Sequence, residues 1–247
     1  MEHEGTTQHT VAFTGQRPWS RRHPDKPSLY AYEDARSWNA LRGKLAQILE
    51  AKAFEHGGLR VITGGAQGVD QTAFWAAEQA KARLEAAGTG IVVTNSLILP
   101  ADGQVNTRWW SENDMFGKAD YRRMVDAADD VRTSDEMRPD TAMSSLGVRL
   151  NVRNECMISQ ADEVIAVLNG RQIAMSNLPS HGSGTANAIR STARAGLPLT
   201  LVDGITFQVT GYSPEQLRDA IGYRPYARRM PYAPSFPSVS ESLPFDL

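Results

Sequence analysis

The stretch "ITGGAQGVDQTAFWAA", residues 62–77, decides how this chain folds. An apolar run ends at Ile62, and three glycines follow at 64, 65 and 68. From Val69 the spacing changes. Ala73, Ala76, Ala77, Ala80 and Leu84 recur at helical intervals, which predicts a helix over about 69–87 with a small-residue stripe packed on a sheet. A strand that passes through bare backbone into a helix is the signature of an anion site. Glycine brings amide N–H groups to a ligand with no side chain in the way, and the helix start adds free donors and partial positive charge.

The same alternation extends in both directions. "HTVAFTGQRP" (9–18) reads as the first strand, stopped by Gly15 and Pro18. A loop follows to about residue 32. From Glu33 a helix buries Trp38, Leu41, Leu45, Ile48 and Leu49 and closes at Gly57-Gly58. "LRVITGG" (59–65) is the second strand, and the third lies in "GIVVTNSLILP" (90–100). A helix from about 114 places Tyr121, Met124, Val125 and Ala128 on one face, "VRTSDE" reads as a short strand, and 140–160 holds one or two helices. "ADEVIAVLNG" (161–170) is a buried strand. "HGSGTANAIRSTARAG" repeats the glycine-to-helix handover, "LPLTLVD" (197–203) is a further strand, and "SPEQLRDAIG" is a short helix capped by Ser213. Alternating strands and helices predict an α/β, Rossmann-like single domain over 9–223, with a mostly parallel sheet flanked by helices. Residues 1–8 read as a flexible start. The segment 224–247, with five prolines, reads as a tail.

Composition bounds the function. The chain has 247 residues, 41% of them hydrophobic, enough for one sizeable core. A net charge of -2 argues against a general electrostatic trap for nucleic acid. The single cysteine, Cys156, excludes an internal disulfide and suits a reducing compartment. No apolar run approaches the ~20 residues of a membrane span, and the polar start lacks the core of a signal peptide. The expectation is a cytoplasmic protein.

In parallel sheets ligands bind outside the carboxyl ends of the strands. Gly15, Gly64-Gly65 and Gly182–Gly184 all follow strands and would converge on one edge. "GGAQGVD" lacks the Lys-Ser/Thr of a Walker A loop and is not GxGxxG, so neither ATP hydrolysis nor nicotinamide hydride transfer is expected. Asp70 either caps the free N–H groups of its helix or accepts hydrogen bonds from ligand hydroxyls. Ser183 and Thr185 either cap the later helix or donate to phosphate oxygens. Gln16 and Arg17 stand at the same edge, with Arg17 suited to a bidentate phosphate contact. Trp109-Trp110 either stack a base or pack in the core. Trp75, off its stripe, is an interface residue or lies under a neighbouring loop. The five histidines show no metal-ligand spacing, so no metal is expected. Cys156 reads as a buried structural thiol.

Six segments occur together and in order: "VAFTGQRP", "VITGGAQGVD", "LP" at 99–100, "RNECM" at 153–157, "ADEVIAVLNG" and "GSGT…A…G.P". In this the chain resembles the SLOG superfamily, most of all its YpsA-like branch, and also molybdenum-cofactor carrier proteins. That superfamily includes the LOG phosphoribohydrolases, the DNA-binding DprA proteins and sensors of nucleotide signals. The resemblance covers about residues 9–203. It implies a nucleotide or ADP-ribose-like ligand held by Gly64, Gly65, Ala66, Gly68, Val69 and Asp70 on one side. Gly182, Ser183, Gly184 and Thr185 would hold it on the other, with Gly15, Gln16, Arg17, Pro100, Arg153, Asn154 and Gly170 around it. Arg153 and Met157 match the LOG element that approaches the sugar. The LOG glutamate after the second glycine motif is missing here, where the chain reads Ala186, Asn187, Ala188, Ile189. Loss of an acid–base group costs ~10²–10⁴ in rate.

The first expectation is therefore a sensor or carrier of a phosphate-containing nucleotide derivative. The alternatives are a hydrolase cutting an N-glycosidic or phosphate bond in such a ligand, with Asp70, Asp102 or Glu155 as the acid, and a DprA-like DNA-binding protein. No residue is assigned a catalytic role, although a buried Arg153–Glu155 pair is the plainer reading of that glutamate. Relatives of this kind form homodimers or larger assemblies, so self-association is also expected. Gly65→Glu is expected to abolish ligand binding while sparing the fold.

Overall fold

Seven strands form one sheet in the order β4-β3-β2-β1-β5-β6-β7. The computed structural model describes residues 8–18, 29–31, 33–100, 107, 110–170, 175, 178 and 183–222. The strands are β1 (His9–Gly15), β2 (Gly58–Thr63), β3 (Val92–Leu99), β4 (Asp130–Thr133), β5 (Glu163–Leu168), β6 (Leu199–Asp203) and β7 (Val209–Tyr212). The first six run parallel, and β7 is antiparallel to β6. The chain steps outward from β1 to β4, then returns to place β5 against the other side of β1. The switch point of the sheet thus lies between β1 and β5, as the α/β, Rossmann-like reading requires.

The helices are α1 (Ala35–His56), α2 (Val69–Ala86), α3 (Lys118–Ala127), α4 (Ser134–Met137), α5 (Leu146–Ile158), α6 (Gly184–Ala195) and α7 (Pro214–Ala220). Both faces of the sheet are covered. Trp38, Leu41, Leu45 and Leu49 of α1 and the alanines of α2 pack on Val11, Phe13, Leu59 and Val61. On the other face Val152 and Met157 of α5 and Ala188 and Ile189 of α6 pack on Ala12, Val164 and Ala166. Strand β5 is buried along its whole length, which is why its sequence is a continuous apolar run instead of an alternation.

Local chemistry sets the ends of these elements. Asp34 caps α1 by accepting from the Ser37 N–H at 3.0 Å, and Gly57 ends that helix with φ 71°. Tyr121 and Met124 of α3 are buried, in line with their spacing. Three boundaries differ from the sequence reading. Strand β2 stops at Thr63, leaving Gly64 and Gly65 in the loop. The helix expected from 114 begins at Lys118, because Ser111, Glu112 and Asp114 carbonyls capture the N–H groups of Lys118, Ala119 and Gly117 in a turn. "VRTSDE" divides, with β4 ending at Thr133 and a capping box between Thr133 and Glu136 starting α4. Strand β7 escapes the sequence reading altogether. Its four residues are mostly exposed, so no alternation marks them. The tail from 224 lies outside the described residues, as do residues 1–7.

Residues 29–31 are fixed over the β6–β7 turn. The Tyr30 hydroxyl donates to the Gly204 carbonyl, and its ring stands edge-on to Trp38 at 5.1 Å. Burial, then Asp34 and Asp203, push the Tyr30 phenol from 10.0 up to about 12. The folded state keeps this proton where the unfolded chain has lost it, so the contribution is full below pH 10 and is lost as pH rises through 12. In denaturant titrations the midpoint should fall across that window, and Tyr30→Phe should fall less. Equal falls would remove Tyr30 as the titrating group.

Candidate functional site

The carboxyl ends of β1, β2 and β5 adjoin at the switch point, and each opens into a loop named by the sequence. In the loop after β2, Gly65 (φ 69°) and Gly68 (φ 93°) occupy backbone space that disfavours other residues. Gly64 is needed for a different reason. A Cβ there would lie 1.9 Å from Nη1 of Arg153, whose guanidinium reaches over from α5 and lies on the bare α-carbon.

That guanidinium is the centre of the arrangement. Nη1 donates to the Gly64 carbonyl at 2.6 Å and to the Asp70 carboxylate at 3.2 Å. Asp70 also accepts from the Ala66 N–H at 3.2 Å. Asp70 therefore braces the loop before α2 and pairs with Arg153. Its carboxylate accepts from the Ala66 N–H, which precedes α2, and from Arg153, and α2 itself has no side-chain cap at its N-cap Gly68. The two side chains are only 9% and 7% exposed. Burial pushes the Asp70 carboxyl up, against the pull of Arg153 and the Ala66 N–H. Burial likewise draws Arg153 down, against the opposing pull of Asp70. Nε of Arg153 is buried with no hydrogen-bond partner among the described residues. The expected Arg153–Glu155 pair does not form. Glu155 is exposed on α5, one residue past Asn154 and turned away from the buried face.

A second set ties β1 to its neighbours. Gly15 faces Val69, whose side-chain carbons would stand 2.4–2.6 Å from a Cβ. Gln16 is buried; its side-chain oxygen accepts from the Asn169 N–H at 2.9 Å, and its carbonyl accepts from the Val69 N–H at 3.3 Å. The Thr185 hydroxyl donates to the Gly15 carbonyl at 2.7 Å. Asn154 donates to the Gly184 carbonyl at 3.3 Å. Ser183 caps α6 by accepting from the Ala186 N–H at 3.2 Å. The later glycine loop is thus held to β1 and α5. Gly184 itself is exposed and has only Asn154 Nδ2, at 4.0 Å, near its missing Cβ. Arg17 is exposed at the rim, and its charge acts on both Asp70 and Arg153.

Two named residues stand apart. Pro100 follows β3, a strand further from the switch, and its carbonyl accepts from the Ser134 hydroxyl at 3.0 Å. Gly170 follows β5 and faces Asp203, whose Oδ2 would stand 3.1 Å from a Cβ at that glycine. Gly182 lies outside the described residues, as do Asp102 and Trp109. Trp110 packs perpendicular to Tyr121 at 5.5 Å. Trp75 is half-buried beneath the 111–120 segment, and its indole N–H donates to Asp120 at 3.4 Å. Cys156 is buried in α5, and burial pushes its thiol up. Among the described residues no group of His, Cys, Asp and Glu could hold a metal ion.

Gln67 is a site residue that the sequence reading misses. Its side-chain amide donates to the Phe116 carbonyl at 3.0 Å, joining the glycine loop to the 111–117 turn. Nothing in the local pattern around Phe116 signals that role. The structure also changes what Gly65→Glu would do. A side chain there would combine positive φ with a Cβ 2.9 Å from Leu99 and close to Met124 and Tyr121, all in the core. The fold itself would suffer.

No family model matches the chain. Over 150 residues, 59% of this chain and 81% of the relative, it is 25% identical to the uncharacterized SPbeta prophage-derived protein YoqJ of Bacillus subtilis (strain 168). Among the described residues, no helix is long and apolar enough to cross a membrane. The chain is an α/β, Rossmann-like protein with similarity to that prophage-derived protein.

Proposed function

We propose that the edge at the β1–β5 switch point binds a nucleotide-derived small molecule carrying phosphate, of the ADP-ribose, NAD-derivative or mononucleotide class, and that the protein acts as its sensor or carrier. The observation that carries this reading is the buried Arg153 guanidinium, set over Gly64 beside the start of α2, which has no side-chain cap, with Nε lacking a protein partner among the described residues. A cation, a helix start and glycine backbone at one sheet edge form an environment suited to an anion. The ordered segments that resemble the YpsA-like branch of the SLOG superfamily support the same ligand class.

Binding without turnover is favoured by the state of Asp70. A glycosidic hydrolase needs a carboxyl group able to exchange a proton with substrate. Asp70 is instead engaged by Arg153 and the Ala66 N–H, and Glu155 faces away.

Gly184→Asp tests the site without disturbing the core. It places a carboxylate in the first turn of α6, where the helix tolerates or gains from negative charge, and it opposes an anionic ligand. Thermal-shift titrations would use AMP, ADP-ribose and NAD. A ligand at 100 times its Kd adds about 2.7 kcal/mol to the wild type. The variant should keep its unliganded melting temperature and lose about 100-fold in affinity. An unchanged shift in the folded variant would remove the start of α6 from the site. Chromatography of the mixtures should show intact nucleotide; cleavage products would move the protein to the hydrolase reading.

A further inference from the structure

A cavity of about 440 Å³ lies between the N-terminal halves of α1 and α2 and the 113–123 segment. That volume falls within the range of small-molecule sites. Three of its twelve lining residues are aromatic, Trp38, Trp75 and Phe116, and seven are polar or charged. Trp38 and Phe116 are buried and meet edge-to-face at 4.9 Å, so their rings are fixed. Trp75 is half-buried beside them, held by its bond to Asp120. Of the three, Trp75 alone is partly exposed, so a flat ring stacks on its indole with the two buried rings behind it.

Arg42 of α1 lines the same cavity, is half-buried, and forms no ion pair among the described residues. The other lining cation is already neutralised, since Arg123 pairs with Asp120 at 2.7 Å. Asp114 stands at the exposed rim. Arg42 is therefore the lining cation open to an anion, while the rim carboxylate of Asp114 opposes a ligand of high negative charge.

We propose that this cavity is a second ligand site, for a planar aromatic molecule bearing a single negative charge, its ring on Trp75, backed by Trp38 and Phe116, and its anion on Arg42. The wall residue Phe116 also receives the Gln67 amide from the glycine loop, and its backbone has a positive φ of 62°. Occupancy of the cavity thus bears on a turn that touches the first site. The proposal does not depend on the nucleotide reading, and its failure leaves that reading intact.

The probe is 2-naphthoate, with the neutral isostere 2-naphthalenemethanol as control, each titrated by calorimetry into wild type, Arg42→Gln and Ala119→Phe. Ala119 lines the cavity, so the phenylalanine fills it. Naphthoate should bind the wild type at one site, at least ten-fold tighter than the alcohol. Arg42→Gln should erase that preference, and Ala119→Phe should remove binding of both. Melting temperatures identify variants that fold. Absence of saturable binding to the wild type up to millimolar naphthoate overturns the proposal. So does unchanged binding in both folded variants.

Discussion

Asp70→Ala is expected to lower folding stability by about 3–5 kcal/mol, the usual result of removing one partner from a buried ion pair. The reason lies in what remains. Arg153 is 9% exposed in its side chain and would keep its charge beside the Gly64 carbonyl with no carboxylate to balance it. The Ala66 N–H would lose its acceptor as well. Double replacement, Asp70→Ala with Arg153→Met, should recover most of the loss, because no charge is then left in the interior. Urea denaturation checks both, read as a shift in midpoint at constant slope. A loss under about 1 kcal/mol in the single variant would mean that water reaches the pair, which is the usual situation of surface ion pairs. The same comparison separates stability from binding. If the guanidinium serves an anionic ligand, the double variant folds but gives no thermal shift with nucleotides.

Gly15→Ala is the second large effect expected, at about 3 kcal/mol, the upper part of the range for overpacked sites. A methyl group at this position would stand 2.4–2.6 Å from three carbons of Val69, including its Cβ. Because Cβ is attached directly to backbone, no rotamer change relieves the contact, and α2 must move off β1. The movement would break the bond from the Val69 N–H to Gln16 and disturb the Thr185 bond to Gly15. Both glycine loops would then shift together. Val69→Gly in the same chain removes that Cβ with its methyl groups and should restore much of the loss, whereas Val69→Gly alone leaves a void. Chemical denaturation of the four proteins gives the coupling directly. Additive losses would show that Gly15 and Val69 do not press on each other.

The strands and helices are largely legible because their burial patterns leave clear traces. The apolar run at 163–168 suits only a buried parallel strand, and the alanines of α2 announce a close contact with the sheet. The end of α1 at Gly57 and the α7 cap at Ser213 follow from local chemistry alone, whereas the α1 start, read at Glu33, lies at Ala35 behind an Asp34 cap. Strand β7 is hidden, since an exposed four-residue edge is specified by its pairing with β6 and not by its own side chains. Among the site residues, the pattern finds the glycines at the right positions but with an incomplete reason. Gly65 and Gly68 are required by positive φ. Gly15 and Gly64 are required by the side chains of Val69 and Arg153 lying against them. Asp70 reads locally as a cap or a ligand contact, and it is the partner of an arginine 83 residues away. Gln67 and the cavity at Arg42 carry no signal in the pattern.

The sequence by itself determined the alternation of strands and helices, the parallel sheet that follows from it, and the gathering of glycine loops at one edge. Each of these depends on spacing over a few residues, where hydrophobic period and backbone freedom act locally. Tertiary structure alone decided which side chain fills each bare glycine, which carboxylate meets Arg153, and where Trp75 and Arg42 come to border one cavity. Those outcomes depend on contacts between residues far apart in the chain, and the choice between Asp70 and Glu155 turns on which face of α5 is buried against the β2 loop.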